Sequence, residues 1–419
     1  MDKKQNHLKA VKTIQKKLLG KRLNYREIYN LMDEIAHERL SDVLTTYFVA
    51  AAFKEGFSAD ELYYLTKAMV ETGTKLHFDG IVADKHSVGG VAGTRTTMIV
   101  VPIIAAAGFV IPKTSSRAIT SPAGTADVME VVSDVIFTPK QIQTIVYKTG
   151  GCIVWGGRLG IAPADDVIID VEEELSFESF DKVIVSIMAK KVAVSANHLV
   201  LDIPVGRTMK IRHFEDAERV ARKFKHLGER FGIEVVADIN ESLEPAGNGA
   251  GPALEALDVL YVLEQKKQRP TALEAKALRL AGKLLDICYK DAKIDKNGED
   301  EARQLLISGK ALSKFREIVK HQHGDDQISS STLKMKGHRR EVKAEHGGTI
   351  KKVNNYNLNT IAKVLGAPLD KFAGIYMERK LDDKVSKNDV VFNFHSSDKY
   401  RLHEAMVTHT NFPIYEIER

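Results

Sequence analysis

The sequence predicts an α/β protein with a small helical domain, a large α/β domain around a mixed but largely parallel central sheet, and a β-rich C-terminal α+β domain. Three observations support this prediction. The first part of the chain carries apolar residues at helical spacing, the middle alternates apolar segments with glycine loops, and short β-like runs begin near residue 325. With 419 residues, 44% of them hydrophobic, the chain can bury a substantial core.

The helical domain is predicted to be discontinuous and to comprise residues 1–75 and 156–195. Its first stretch, Lys3 to Arg22, has apolar residues at helical spacing with lysines between them, which is typical of an amphipathic helix. Further on, Ser58 and Glu61 have the spacing of a capping box, which marks the start of another helix.

The α/β domain is predicted to comprise residues 76–155 and 196–325, and the C-terminal domain residues 326–419. In the α/β domain, the apolar pattern predicts strands over 199–203 and 233–239 and helices over 252–264 and 272–289. In the C-terminal domain, it predicts strands over 348–353 and 390–395 and a helix over 358–364.

The most informative segments are two polar loops, Lys85 to Gly93 and Ser115 to Asp127. Between them, Met98 to Pro112 is almost entirely apolar and predicts a buried helix or strand. Such an element would hold the two loops at a fixed separation. We therefore expect the two loops to form one site.

The first loop has the composition of an anion-binding loop. Its glycines permit positive φ, so that successive N–H groups can point at an anion; they are Gly89, Gly90 and Gly93. A lysine adds charge, two hydroxyls add donors, and a helix starting nearby would add its positive N-terminal end; these are Lys85, Ser87, Thr96 and a helix start near Thr94.

The second loop is rich in hydrogen-bond donors. It combines five hydroxyls, a guanidinium and a glycine, namely Ser115, Ser116, Thr120, Ser121, Thr125, Arg117 and Gly124. Either loop alone also fits a capped helix start or a polar turn. A third glycine cluster, Gly247 to Gly251, fits either another anion loop or close helix packing.

The segments KHSVGG, starting at Lys85, and SSRAITSPAGTADVMEVV, starting at Ser115, resemble the signatures of the thymidine and pyrimidine nucleoside phosphorylase family. The resemblance is greatest to its archaeal-type AMP (nucleoside 5′-monophosphate) phosphorylases. It continues through residues 154–166, 186–191, 201–206 and 251–256 and covers the chain from about residue 25 to the end. The N-terminal assembly domain of the archaeal enzymes lies outside it.

The resemblance implies phosphorolysis of an N-glycosidic bond, with inorganic phosphate as co-substrate and without a cofactor or a metal. It implies phosphate binding by Lys85, Ser87, Gly89, Gly90, Thr96, Ser115 and Thr125. It implies nucleotide binding by Gly90, Ser116, Arg117, Ala118, Ile119, Thr120, Ser121, Ser186, Lys190 and Lys210. The implied catalytic residues are Glu178, Lys85 and His86.

The implied proton donor departs from the family pattern, because Glu178 stands where AMP phosphorylases have an aspartate. A carboxyl group buried enough to raise its pKa can still act as a general acid. The alternative is a solvated carboxylate within the acidic run Asp170 to Asp181. Pro122, in place of a small residue, removes one backbone donor from the second loop.

The substrate-determining positions are mixed. Thymidine phosphorylases carry an arginine where this chain has Asp170 or Val171, which argues against their mode of pyrimidine selection. Lys85, in contrast, is the residue of the thymidine phosphorylase motif. Nucleoside monophosphates are therefore the first expected substrates and pyrimidine nucleosides the second. An anthranilate-type phosphoribosyltransferase and an inactive nucleotide-binding protein are further alternatives.

Composition and charge exclude several other classes of protein. The formal net charge of +5 is spread along the chain, and its basic stretches lack the interleaved aromatic residues of a single-strand nucleic-acid binder. Cys152 and Cys288 form no disulfide framework, which favours a reducing cytoplasm. No apolar run is long enough to span a membrane, and the histidines show no metal-site spacing. The resemblance further implies a homodimer formed through the helical lobe.

Overall fold

The computed structural model describes residues 3–118, 121–157, 159–175 and 179–419. The first part of the chain forms α1 (Lys3–Leu18), α2 (Tyr25–Ala36), α3 (Asp42–Glu55), α4 (Ala59–Glu71), β1 (Ala83–Ser87), α5 (Thr97–Ala106), β2 (Ile111–Ser115), α6 (Thr125–Met129), α7 (Pro139–Thr149) and β3 (Gly151–Trp155). The middle part forms α8 (Pro163–Leu175), α9 (Phe180–Ala193), β4 (His198–Val205), α10 (Phe214–Arg230), β5 (Glu234–Glu241), β6 (Gly249–Ala250), α11 (Pro252–Leu263), α12 (Thr271–Ala292), α13 (Gly298–Ile307) and α14 (Lys310–His321).

The last part of the chain forms β7 (His338–Lys343), β8 (Gly348–Val353), α15 (Asn355–Leu365), β9 (Gly374–Met377), β10 (Lys384–Val385), β11 (Val390–Ser396), α16 (Lys399–Asn411) and β12 (Tyr415–Glu418). Each strand and helix that the apolar pattern predicts after residue 195 is present, with ends shifted by a few residues. Across the described residues, no helix is both long and apolar enough to cross a bilayer.

The helical lobe consists of α1 to α4 together with α8 and α9, whose apolar faces share one buried cluster. The predicted capping box is confirmed: the Glu61 amide donates to Ser58 Oγ, and the Ser58 amide donates to the Glu61 carboxylate at 2.9 Å. Glu61 also accepts a hydrogen bond from the buried Lys17 Nζ at 3.1 Å. The cap therefore also fixes how α1 packs on α4.

The α/β domain contains a parallel sheet of five strands. β1 pairs with β4 and β4 with β5, while β2 pairs with β3, all in parallel. A parallel bridge between Val82 and Val110 joins the two groups, which gives the order β3-β2-β1-β4-β5. The apolar run Met98 to Pro112 forms both α5 and the start of β2, because Gly108 adopts a φ of +94° and ends the helix.

The C-terminal domain has two antiparallel sheets, β6-β9-β11-β7 and β10-β8-β12, with α15 and α16 packed on a shared apolar cluster. The short strand β6 comes from the glycine-rich loop before α11 and pairs with β9. The C-terminal domain is thus hydrogen-bonded directly to a loop of the α/β domain.

Candidate active site

The carboxyl ends of the five parallel strands place one row of side chains along the edge of the sheet. In the strand register Ser115 pairs with Trp155, Ser87 with Asp202, and Asp202 with Asp238. The register of Val82 with Val110, continued to the strand ends, sets Ser87 beside Ser115. Both polar loops therefore leave the sheet side by side, as the sequence predicts.

Lys85 is the buried cation of this edge. Its Nζ lies 2.5 Å from Ser87 Oγ and 3.3 Å from Thr97 Oγ1, and 4.0 Å from the Asp202 carboxylate. Burial lowers the pKa of Lys85 to about 8, although Asp202 opposes the shift. The ammonium group is thus still charged at neutral pH but is bound to neutral partners and one distant carboxylate.

Asp202 connects this cation to the neighbouring strand. It accepts hydrogen bonds from Ser87 Oγ at 2.8 Å and from Asn240 Nδ2 at 2.9 Å, and it forms an ion pair with Lys276 at 3.0 Å. Asp202 therefore faces two ammonium groups, Lys276 and Lys85, and its single negative charge cannot neutralise both. The local charge at the edge of the sheet remains positive.

Three buried hydroxyls of the described residues near this edge lack hydrogen-bond partners. Within the described residues, Thr96 Oγ1 and Ser115 Oγ are buried and make no hydrogen bond; Thr114 Oγ1, next to Ser115, shares this property. Thr96 is the N-cap residue of α5, whose positive N-terminal end points at the same region. An oxyanion bound here would supply the missing acceptors.

The second loop is held in place by Asp127, a buried residue in α6. One carboxylate oxygen accepts hydrogen bonds from the amides of Ala118 at 2.7 Å and Gly124 at 2.9 Å. Gly124 lies directly on the loop backbone, where a Cβ would come within 2.4 Å of the carbonyl carbon of Arg117. Only glycine permits this close approach, and Gly124 is the N-cap residue directly before Thr125.

Arg117 makes its contacts with neighbouring protein side chains. Its guanidinium donates to Glu130 at 2.7 and 2.5 Å and to Asp127 at 3.1 Å, and it stacks over the Trp155 ring at 4.9 Å. These hydrogen bonds lower the pKa of Glu130 to about 2. Nucleotide binding by Arg117 stays a prediction, and it would have to use the face or the remaining donors of this guanidinium.

The helical lobe contributes a second polar cluster around the buried Asp165. Ser186 Oγ and Lys190 Nζ both donate to its Oδ2 at 2.6 Å, and Lys182 Nζ lies 3.2 Å from its Oδ1. Desolvation would raise the pKa of Asp165, but the charges of the two lysines outweigh it and hold this pKa well below its usual range. The carboxylate therefore orients Ser186 and Lys190 side by side on α9.

An ion-pair cluster near His86 connects the two lobes. Asp84, next to Lys85 on β1, pairs with Lys191 of α9 at 2.6 Å and with Lys113 of β2 at 3.3 Å. Burial lowers the pKa of His86 well below its usual value, and the nearby ammonium groups of Lys191, Lys113, Lys85 and Lys190 lower it further. His86 is therefore neutral near pH 7 and lies within electrostatic reach of both lobes.

Three family models match this chain in order. They are the helical bundle domain of a glycosyl transferase family over residues 11–73, the a/b domain of that family over 79–312, and the pyrimidine nucleoside phosphorylase C-terminal domain over 349–412. AMP phosphorylase 1 of Archaeoglobus fulgidus is 40% identical over 408 residues, covering 97% of this chain and 80% of the relative. The AMP phosphorylase of Thermofilum pendens is 42% identical over 394 residues, covering 94% and 75%.

The chain belongs to the pyrimidine nucleoside phosphorylase family, in its AMP phosphorylase branch. It is an enzyme of the pentosyltransferase class. Anthranilate phosphoribosyltransferase from Thermus thermophilus shares the fold, with a TM-score of 0.61 and 20% identity, over 74% of this chain and 99% of that chain.

The structure places several of the residues that the phosphorylase signatures imply in phosphate or nucleotide binding. Gly89 and Gly93 adopt φ of +79° and +63°, as predicted. Gly90 does not adopt a positive φ, and a Cβ there would meet no atom within 4 Å. Lys210 covers the first loop, since a Cβ on Gly89 would lie 2.8 Å from the Cβ of Lys210. Ser116 is exposed, and Ser121 Oγ donates to the Ala123 carbonyl at 2.9 Å.

Three of the implied nucleotide or catalytic residues, Ile119, Thr120 and Glu178, lie outside the described residues. The role of Glu178 as proton donor therefore stays a prediction. In the part of the chain that the structure describes, no group of three or more His, Cys, Asp or Glu side chains is placed to hold a metal ion.

The third glycine cluster, Gly247 to Gly251, allows close packing and does not form an anion-binding loop. Its amides are already bound: Gly247 donates to the Gly93 carbonyl at 2.7 Å, and Asn248 and Gly249 both donate to Asp258 at 2.7 Å. Gly249 packs closely on α11, since a Cβ there would lie 2.6 Å from the backbone carbonyl carbon of Leu254. Gly251, with a φ of +138°, lies against the Ala373 carbonyl. The close-packing alternative is therefore right, and the anion-loop alternative is wrong.

Proposed function

We propose that this chain catalyses phosphorolysis of a nucleoside 5′-monophosphate of the AMP, CMP or UMP type. Phosphate attacks C1′, the C1′–N bond breaks with its electron pair passing to the base, and a proton neutralises the base. The products are a free base and ribose 1,5-bisphosphate. The reaction is a step of nucleotide salvage. The phosphate is a co-substrate, and we propose no cofactor.

The observation that carries this proposal is the pair of buried, unpartnered hydroxyls of Thr96 and Ser115 beside the buried Lys85 within the described structure. Burying polar groups without partners is costly, so such groups at one edge of a sheet indicate a ligand. Hydroxyl donors, a helix N-terminus and one ammonium group together suit a small oxyanion such as inorganic phosphate.

The second half of the proposed site is the Asp165 cluster on the helical lobe. Ser186 and Lys190 are held within 3.3 Å of each other by the shared carboxylate, and α9 is tied to β1 by the pair Lys191–Asp84. This arrangement supports base binding across the cleft from the phosphate. Closing the two lobes would exclude the water that could otherwise hydrolyse the sugar.

For the base to leave, it must receive a proton or a strong hydrogen bond. Glu178 is our proposed general acid. Neutral His86 is positioned to donate or accept a hydrogen bond at the sugar or the base, and it adds no charge that would compete with Lys85.

We further propose that the protein is a cytoplasmic homodimer formed through the helical lobe. Large apolar side chains are exposed on α1 and α3, where Leu8, Val43, Tyr47 and Phe53 are each more than half exposed. The two cysteines are free and buried, which suits a reducing compartment.

The direct test is incubation of the purified protein with phosphate and, separately, AMP, CMP, UMP, adenosine, uridine and thymidine, followed by chromatography of bases and sugar phosphates. We expect base release from the monophosphates only. Release from uridine or thymidine instead would move the chain to pyrimidine nucleoside phosphorolysis. Binding of these compounds without release of any base would overturn the proposed reaction.

A further inference from the structure

Arg95 is a largely buried cation two residues after the first loop, and nothing in the local sequence pattern marks it as a site residue. Its Nε and Nη2 lie 2.9 and 2.7 Å from Glu255 Oε2, and its Nη2 also donates to the Ala123 carbonyl at 2.8 Å. Its Nη1 donates to Thr125 Oγ1 at 3.0 Å. The side chain is 11% exposed and that of Glu255 is fully buried.

From these contacts we infer that Arg95, held by Glu255, is a positioning residue that aims the Thr125 hydroxyl at the attacking phosphate. The inference rests on the proposed function, because it assigns a role to a residue within the proposed phosphate site. Neither Arg95 nor Glu255 is proposed to contact a substrate.

The first step of the argument is the direction of the Thr125 hydroxyl. A hydroxyl oxygen that accepts a hydrogen bond from a guanidinium must point its own hydrogen elsewhere. Among the described residues, no acceptor for that hydrogen is found near Thr125. Because Thr125 is bound to Arg95, the residue directly before Thr96, its O–H is left to donate to the same ligand that the unpartnered Thr96 and Ser115 hydroxyls would bind.

The second step is the geometry that only a guanidinium provides. Three of its nitrogens reach three different groups, which belong to α11, to the second loop and to α6. An ammonium group cannot hold these groups in a fixed planar arrangement, since it is a point charge on a flexible stem. Arg95 therefore fixes the separation between the first and second loops.

The third step concerns charge. Glu255 is buried against Arg95, and the Gly251 amide donates to its other carboxylate oxygen at 3.2 Å. The pair is close to neutral, so its contribution to anion binding is orientation and not net positive charge. Replacing Arg95 should therefore affect the phosphate through Thr125, and it should leave the Ser186 and Lys190 side of the cleft unaffected.

The experiment is a double-mutant cycle on Arg95→Ala and Thr125→Val, with KM measured separately for phosphate and for AMP. Each single change should raise the KM for phosphate by about tenfold, the effect of losing one hydrogen bond to a charged group, with the KM for AMP within about twofold. The double variant should be no worse than Arg95→Ala alone, because the two residues act in one chain. Millimolar guanidinium should partly restore phosphate affinity to Arg95→Ala and not to Thr125→Val.

Arg39→Ala is the matched control, because it also removes an arginine from a buried glutamate, Glu34 at 2.9 Å, in the helical lobe. It should lower thermal stability without changing either KM. If Arg95→Ala does not fold, Arg95→Lys takes its place and should give an intermediate rise in the KM for phosphate. Independent, multiplicative effects of the two changes, or equal rises in both KM values, would overturn the inference.

The thermal shift produced by phosphate separates this inference from the proposed function. If wild-type protein releases no base, the proposed reaction fails. The positioning role would still be supported if phosphate raises the Tm of the wild type and of Arg39→Ala but not that of Arg95→Ala or Thr125→Val. An unchanged rise in both variants would contradict it.

Discussion

Ser87 connects Lys85 to Asp202: its hydroxyl lies 2.5 Å from the ammonium nitrogen and donates to the carboxylate at 2.8 Å, while the two charged groups stay 4.0 Å apart. A direct ion pair would have neutralised the lysine within the protein. The intervening hydroxyl keeps Lys85 in place and leaves part of its charge available to an external anion. Lys276 strengthens this effect by pairing with the same carboxylate at 3.0 Å.

Anion binding should weaken as the pH rises through about 8, because burial lowers the pKa of Lys85 to that value. Below it the lysine is charged and attracts the anion, and above it the attraction is lost. Calorimetric titration with sulfate, whose charge is constant over this range, measures the effect directly. Lys85→Met should bind weakly at every pH and show no such dependence.

Lys17→Met is the control for Lys85→Met. Lys17 is also buried and paired, at 3.1 Å to Glu61, but it lies in the helical lobe. This variant should lose stability and keep the pH profile of the wild type. The role of Lys85 in anion binding would be contradicted if the wild type bound sulfate equally well from one pH unit below the pKa of Lys85 to one unit above it.

Ser115→Ala should separate binding from stability. The Ser115 hydroxyl is buried without a partner in the described structure, so its removal should leave the free energy of unfolding nearly unchanged while the KM for phosphate rises about tenfold. Ser396→Ala should show the opposite pattern. Its buried hydroxyl donates to the Leu365 carbonyl at 2.6 Å, and its loss should cost about 1 kcal/mol without altering the KM.

Denaturant unfolding measures the stability of both serine variants, and steady-state kinetics on the same preparations measures their KM for phosphate. If Ser115→Ala loses stability as Ser396→Ala does, then the hydroxyl has a structural partner and the phosphate role is wrong.

The residues that sequence could predict are those whose chemistry is local. Lys85, Ser87, Ser115 and Thr125 lie in short segments where glycines, hydroxyls and cations cluster. Asp202 could not be found in this way, because it acts on Ser87 across 115 residues of chain and sits inside an apolar strand. Glu255 reaches Arg95 across 160 residues, and from sequence it resembles an ordinary first-turn helix carboxylate.

The third glycine cluster is a place where the sequence alone leaves two alternatives open. Gly247 to Gly251 has an anion-loop composition, but carboxylates from the following helix bind its amides first. Asp258 lies well inside a predicted helix and shows no signal in the sequence, yet it accepts the amides of Asn248 and Gly249. Composition predicts which groups can bind an anion, and only tertiary structure decides which of them are still available.

Gly124→Ala should disable the second loop as a unit. Its Cβ would meet the backbone of Arg117 at 2.4 Å and the Ser116 carbonyl at 2.5 Å, and backbone atoms cannot move aside without displacing the loop. We expect a lower Tm together with a raised KM for phosphate. Gly347→Ala, whose Cβ would make an ordinary contact of 3.4 Å with the Val385 carbonyl, should change neither quantity. Wild-type kinetics in Gly124→Ala would show that the loop is not part of the site.

Asp165→Asn tests the second half of the cleft. The carboxylate holds Ser186 and Lys190 at 2.6 Å each, and its lowered pKa keeps it ionised throughout the neutral and mildly acidic range. An amide of the same shape keeps an acceptor but removes the charge that holds Lys190, so the ammonium should turn toward solvent and the KM for the nucleotide should rise about tenfold. The KM for phosphate should stay within about twofold, since Lys85, Thr96 and Ser115 do not contact this cluster. Stability should also fall by roughly 3 kcal/mol, because the buried Lys182 loses one of its two carboxylates.

Glu172→Gln controls for that loss: it removes the other carboxylate from Lys182, at 2.8 Å, without affecting Ser186 or Lys190. If both variants raise the nucleotide KM equally, the effect comes from the packing of the helical lobe, and Asp165 has no specific role in orienting the base-binding side chains.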